Sequence, residues 1–66
     1  MNITLNGNTK TCDNISSVAE LLSDLTLNPE TVVIELNTKI IPQDEYNEQK
    51  LNDADRVEII RFVGGG

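Results

Sequence analysis

The sequence predicts an α+β domain: a mixed β-sheet of four to five strands with one main helix packed across it. Two patterns indicate this class. Apolar residues alternate with polar ones near both ends of the chain, as in half-buried strands, and a stretch between them repeats apolar residues at helical spacing. Sixty-six residues make one thin-cored domain, and the single Cys excludes an internal disulfide.

A β-hairpin is predicted at the start of the chain. Ile3 and Leu5 alternate with polar residues, which is the period of a strand with one buried face. The segment Asn6-Gly7-Asn8 then predicts a tight turn, because Asn and Gly tolerate positive φ. The return strand is predicted over about Thr9–Asp13, with Cys12 interpreted as a small buried residue in that strand.

One helix is predicted over Val18–Leu25. Ser17 and Glu20 have the spacing of a capping box. A helix of about two turns has no independent stability, so it must pack on the sheet. Four apolar residues at i, i+3, i+4 and i+7 form the stripe that would face the sheet: Val18, Leu21, Leu22 and Leu25.

Two more strands and a polar connection follow the helix. Apolar residues alternate over residues 32–37, and Lys39–Ile41 is predicted as a short strand that Pro42 ends. The polar stretch Pro42–Gln49 is predicted to form a helical turn at the surface, with Tyr46 as its surface anchor. Residues 52–55 are interpreted as a solvated turn, in which Asp53 and Asp55 serve no metal or acid–base chemistry.

The last strand is predicted over Arg56–Val63 and is apolar on both faces. Val57 and Ile59 share one face, and Ile60 and Phe62 share the other. If the first pair faces the helix, the second pair points away from it, and we predict that it forms an apolar patch for binding a partner protein. The first and last strands are expected to lie side by side and parallel. The predicted core comprises Ile3, Leu5, Val18, Leu21, Leu22, Ile34, Leu36, Leu51, Val57 and Ile59.

Composition excludes several function classes. Eleven acidic and five basic residues give a net charge of −6, so nucleic acid is not an expected partner. With no His and one Cys, neither a zinc site nor an iron–sulfur cluster has enough ligands. The N-terminal residues resemble no signal peptide, and no apolar run approaches a membrane span, so a cytoplasmic protein is expected.

The last three residues are the candidate site of chemistry. Residues 1–63 are predicted to form the domain, and Gly64, Gly65 and Gly66 to form a flexible tail that can thread a narrow channel in a partner active site, because it carries no Cβ. The Gly66 α-carboxylate is an unreactive anion at neutral pH and needs activation before a nucleophile can attack it. The chain has no phosphate-binding loop, so it is expected to be the substrate of that activation. Taken alone, the three glycines are equally compatible with a C-terminus that has no chemical role.

The order and spacing of these features resemble the ThiS family along the whole chain. The resemblance rests on the hairpin, the helix VAELLSDL, Asn37, the segment IPQDEY, Leu51 and the ending DADRVEIIRFVGGG. Ala54 departs from the family's pattern, which often has Gly in this turn. The resemblance implies the β-grasp (ubiquitin-like) fold and a sulfur carrier that is itself no enzyme and binds no cofactor or metal.

The resemblance also implies partners and a reaction order. A ThiF-type adenylyltransferase would use ATP and magnesium to adenylate Gly66. A sulfur donor system using cysteine would then convert it to a thiocarboxylate, from which a ThiG-type thiazole synthase takes sulfur for thiamine biosynthesis.

Three alternatives remain open at the level of sequence. The small subunit of molybdopterin synthase shares the fold and glycine ending, but it tends to be longer and to carry a Pro-Pro pair near its end. A ubiquitin-like modifier would form isopeptide bonds with lysines. An interaction module would have a tail without chemistry.

Overall fold

The computed structural model describes residues 1–62, which form a five-stranded mixed sheet with a helix across one face. The strands are β1 (Asn2–Leu5), β2 (Asn8–Thr11), β3 (Val32–Leu36), β4 (Lys39–Ile41) and β5 (Arg56–Arg61), and the helix is α1 (Val18–Asp24). The sheet order is β2-β1-β5-β3-β4, with β1 and β5 parallel and the other neighbours antiparallel. This confirms the predicted fold class and the parallel pairing of the first and last strands.

Two tight turns connect the hairpin strands. Asn6 and Gly7 have φ values of 48° and 84° between β1 and β2, as their sequence predicts. Asn37 and Thr38 have φ values of 49° and 77° between β3 and β4. A threonine in this region is unfavourable, because its branched Cβ crowds the backbone there. The second turn is therefore imposed by the strands that it joins.

Two asparagines extend the pairing of the central strand β5 beyond the ends of its neighbours. The Asn6 Oδ1 accepts a hydrogen bond from the Ile59 N–H at 2.7 Å, and its Nδ2 donates to the Ile59 carbonyl at 3.4 Å. On the opposite edge of β5, the Asn37 Oδ1 accepts from the Arg56 N–H at 2.9 Å, and the Asn37 N–H donates to the Arg56 carbonyl at 2.8 Å. These amides take the place of strand residues, and they position the strand that leads to the end of the chain.

The core lies between the sheet and α1. All the predicted core residues are buried except Leu5, which is half-buried at the end of β1 and packs against the core. The structure adds Val32, Ile41 and Tyr46 to the buried set, and it also buries Cys12, as expected. A helix of seven residues cannot cover five strands, so other segments must complete the layer.

Tyr46 belongs to the layer that covers the inner face of the sheet together with α1. Its predicted role as a surface anchor is therefore wrong. Its side chain is 4% exposed, and its hydroxyl donates to the Val32 carbonyl at 3.4 Å. The Tyr46 carbonyl accepts a hydrogen bond from the Ala19 N–H at 3.0 Å, which fixes the segment after β4 beside the start of α1. Burial raises the pKa of Tyr46. The aromatic ring therefore extends the cover that the short helix begins.

Several element boundaries differ from those predicted. β2 ends at Thr11, so Cys12 follows the strand rather than lying in it, although it is buried as a free thiol as expected. α1 ends at Asp24, and Leu25 caps it with a half-buried side chain. Strand and helix ends fray and are the least determined part of such a prediction.

The N-terminus of α1 has a modified capping box. The Ser17 Oγ accepts from the Glu20 N–H at 3.2 Å, as predicted. The Glu20 carboxylate, however, accepts from the hydroxyl and the backbone N–H of Ser16, each at 2.7 Å, one residue before the expected donor. Hydrogen bonds from the Ser16 hydroxyl and backbone hold the pKa of the Glu20 carboxyl below its usual value.

The turn before β5 predicts a stabilising substitution. Ala54 has a φ of 71°, a left-handed conformation that is costly for a residue with a Cβ. We expect Ala54→Gly to raise the free energy of unfolding by about 1 kcal/mol, because glycine adopts this φ without strain. Urea unfolding measures the change. The matched control is Ala19→Gly in α1, where the same chemical change should destabilise by roughly 0.5–1 kcal/mol. A loss of stability in both variants would contradict the strain at Ala54.

Candidate functional site

The central strand β5 immediately precedes the candidate site, which is the predicted C-terminal tail. β5 pairs with β1 on one side and with β3 on the other, so both edges are held. Pairing continues past the end of β5, because the Phe62 N–H donates to the Thr31 carbonyl at 2.8 Å. β5 ends at Arg61, two residues before the predicted end at Val63, because Phe62 already leaves the regular strand; Val63 itself and the predicted tail, Gly64 to Gly66, lie outside the described residues.

The outer face of the sheet carries the predicted apolar pair. Ile60 is 55% exposed and Phe62 is 58% exposed, while their neighbours Val57 and Ile59 are buried in the core. The predicted division of β5 into an inner and an outer face is therefore confirmed. Tyr46 does not cover the outer pair, because it is buried in the core. The use of Ile60 and Phe62 in partner binding stays a prediction.

The apolar area is larger than the sequence indicated. Ile40 in β4 is 59% exposed, and Val33 in β3 is half-buried directly opposite Ile60. The doublet Ile40-Ile41 lies within one strand, and alternation requires one of its two side chains to face outward, which is the signal that could have found Ile40. We define the outer patch as Val33, Ile40, Ile60 and Phe62.

Two carboxylates lie beside the outer patch. Glu35 in β3 and Glu58 in β5 are direct cross-strand partners, and Ile40 is opposite Glu35 on the other side. A shallow depression of about 140 Å³ is lined by both glutamates together with Asn37, Thr38 and Arg56. Within residues 1–62, the one ion pair joins Lys10 to Asp24 at 3.2 Å, so the Arg56 guanidinium is not bound to either carboxylate.

The other acidic pair holds the backbone. The Asp53 Oδ1 accepts from the Asn2 N–H at 2.7 Å, and the Asp55 Oδ2 accepts from the Asn52 N–H at 2.7 Å. The Asp55 Oδ1 also accepts from the Asn37 side chain at 2.9 Å. These carboxylates fix the turn before β5. Across the described part of the chain, no group of three or more potential metal-binding side chains comes together, and no helix is both long and apolar enough to cross a membrane.

Comparison with known proteins identifies relatives along the whole chain. The ThiS family matches residues 3–66. The chain is 40% identical to the sulfur carrier protein ThiS of Bacillus subtilis over 50 residues, which are 76% of each protein. It is 33% identical over 66 residues to a thiazole synthase of Paramagnetospirillum magneticum, but these residues span only 20% of that longer protein. The crystal structure of the thiamine biosynthesis protein ThiS from Geobacter metallireducens has a TM-score of 0.84 and 39% identity, with all of both chains covered.

Proposed function

The chain belongs to the ThiS family, and on that premise we propose that it carries sulfur as a thiocarboxylate on Gly66 and donates it to a thiazole synthase for thiamine biosynthesis. The observation that carries the proposal is the extent of the family match, which runs through residue 66 and so includes all three final glycines. The free Cys12 thiol and the need for ATP favour the cytoplasm as the place of this reaction.

The proposed chemistry begins with activation of the Gly66 carboxylate. A carboxylate oxygen attacks the α-phosphorus of ATP in a ThiF-type adenylyltransferase, and magnesium pyrophosphate leaves. The resulting acyl adenylate has a good leaving group, which the carboxylate anion itself lacks. A donor system releases sulfide from cysteine, and this sulfide attacks the acyl carbon, so that AMP departs with one of the two original carboxylate oxygens. The net change at Gly66 is the replacement of one oxygen by one sulfur.

In the proposed reaction the carrier and the activating enzyme have different roles. The tail has no side chain to obstruct a narrow channel, so Gly64 and Gly65 can pass while Gly66 reaches the nucleotide. The catalytic groups and the Mg·ATP belong to the activating enzyme. The likeness to a segment of two longer proteins named thiazole synthase supports a ThiG-type acceptor over the molybdopterin route.

Intact mass spectrometry of the protein purified from its own cells tests the proposal. We expect a species that ends at Gly66 and a second species that is heavier by one sulfur minus one oxygen. Alkylation with iodoacetamide should label the second species at its C-terminus, whereas the Cys12 thiol is buried and common to both. A chain that extends beyond Gly66, or one that shows no such exchange while thiamine is being made, would contradict the proposal.

The exposed aromatic beside the tail predicts a binding defect. We expect Phe62→Ala to weaken binding to the cognate adenylyltransferase about tenfold, because an exposed aromatic beside the reactive end is a typical interface anchor. Calorimetric titration measures the affinity. Thr9→Ala, an exposed truncation on β2, is the control and should bind like the wild type. The thermal midpoints of the two variants should differ little. Wild-type affinity of Phe62→Ala would count against the role of the patch, and so would outright unfolding of this variant.

A further inference from the structure

We propose that Asn6 is a site of spontaneous deamidation that folding protects, and that the products of the reaction cannot restore the contact between Asn6 and β5. Asn6 is the only asparagine in the sequence that glycine directly follows. The same side chain binds the backbone of Ile59 from the end of β1. The amide is therefore reactive in the unfolded chain and held in the folded domain. This inference is independent of the chemistry proposed at Gly66.

The deamidation reaction needs only the chain and water. The Gly7 backbone nitrogen attacks the side-chain carbonyl carbon of Asn6, and the new C–N bond closes a succinimide ring. The side-chain nitrogen leaves as ammonia, taking the proton that the Gly7 nitrogen loses. Water then opens the ring at either carbonyl and gives aspartate or isoaspartate, with no oxidation or reduction. Glycine favours the ring closure, because it has no Cβ to hinder the approach of its nitrogen.

The folded domain holds the Asn6 amide away from this reaction. The Asn6 Oδ1 accepts from the Ile59 N–H at 2.7 Å, and its Nδ2 donates to the Ile59 carbonyl at 3.4 Å. The backbone is fixed as well, since the Asn6 N–H donates to the Val57 carbonyl at 2.9 Å. Ring closure requires the amide to leave Ile59 and turn its carbonyl carbon towards the Gly7 nitrogen. Asn6 is exposed to water, so the population of the opened turn, and not access to water, sets the rate.

Neither product restores both bonds to β5. A carboxylate at this position accepts from the Ile59 N–H, but its second oxygen meets the Ile59 carbonyl oxygen with no proton between them. Isoaspartate adds a methylene to the backbone of the tight turn, which disturbs the register between β1 and β2. The ladder between β1 and β5 ends at Leu5 and Val57, so Asn6 makes the next contact along β5 towards the C-terminus. Deamidation therefore loosens the strand that precedes the tail.

Two incubations of the wild-type protein test the site. The full chain is kept at one mildly alkaline pH and one temperature, either in buffer or in guanidinium chloride. Tandem mass spectrometry after proteolysis follows each asparagine, because each deamidation exchanges an NH group for an oxygen. We expect Asn6 to react in guanidinium and to react at least about tenfold more slowly in the folded protein. Asn8 and Asn37 are internal controls, since threonine follows each, and should stay unchanged while Asn6 reacts.

The variant Asn6→Asp measures the effect of the aspartate product on stability. We expect it to lower the folding equilibrium constant about tenfold in urea unfolding, because the Ile59 carbonyl loses its donor and meets a carboxylate oxygen. The matched control is Asn8→Asp, which adds the same charge at the other end of the turn. The Asn8 amide donates to the Asn6 carbonyl at 3.5 Å and makes no bond to β5 within residues 1–62, so this variant should stay close to the wild type.

Each outcome decides one part of the inference. Equal rates at Asn6 in the folded and the denatured protein would overturn the protection, and no reaction at Asn6 in guanidinium would overturn the site. Wild-type stability of Asn6→Asp, or an equal loss in Asn8→Asp, would overturn the effect on β5. An Asn6→Asp variant that unfolds while Asn8→Asp stays folded would support that effect. Sulfur transfer at Gly66 is measured separately, and its failure would leave these results unchanged.

Discussion

We expect Leu21→Ala to leave the domain largely unfolded at room temperature. The Leu21 side chain is 0% exposed and lies on the face of α1 that meets the sheet. Removing a buried leucine side chain costs about 2–5 kcal/mol, through lost transfer energy and the cavity that remains. A single core in a chain of this size supplies only about 3–5 kcal/mol in total. The substitution therefore removes most or all of the stability.

Far-UV circular dichroism during urea unfolding measures this effect. The matched control is Leu25→Ala at the end of the same helix, where the side chain is only half-buried and a smaller loss is expected. Leu22→Ala should resemble Leu21→Ala, because Leu22 is also 0% exposed. A folded Leu21→Ala protein with a wild-type urea midpoint would show that α1 does not form the core described here.

Local patterns predicted the elements of the fold well. The Asn6-Gly7 turn is determined by two residues that tolerate positive φ, and the α1 stripe by a spacing that only a helix presents on one face. The two faces of β5 followed from alternation within a single strand. Each of these features is set by residues close in sequence, which is why one sequence is sufficient to find it.

Features that depend on residues distant in sequence were missed. The burial of Tyr46 depends on where the segment after β4 packs against α1, and the polar residues around it predicted a surface position. The cross-strand pairing of Glu35 with Glu58 depends on the register between β3 and β5, and these two residues lie more than twenty positions apart along the chain. A shift of one residue would place their side chains on opposite faces. The bonds from Asn6 and Asn37 to β5 likewise became visible only in the structure.

We expect Gly65→Val to block adenylation while hardly changing the stability of the domain. The proposal requires residue 65 to pass the narrowest part of the partner's channel, where a branched side chain would clash and restrict φ. Gly7→Ala provides a contrasting control. Gly7 has a φ of 84° with open space around it, so a Cβ there should reduce stability without affecting adenylation of the folded fraction. Wild-type adenylation of Gly65→Val would mean that the tail does not thread a narrow channel.

The most direct test of the account is pyrophosphate release with and without Gly66. The wild type, the cognate adenylyltransferase and Mg·ATP are incubated with a sulfur donor, and released pyrophosphate and carrier mass are followed together. Deleting Gly66 moves the terminal carboxylate back by one residue, about 3.5 Å, which is far more than attack geometry tolerates. We predict pyrophosphate and thiocarboxylate from the wild type and neither from the deletion variant, although both are folded. Equal rates of both products from the two proteins would show that Gly66 does not carry the sulfur.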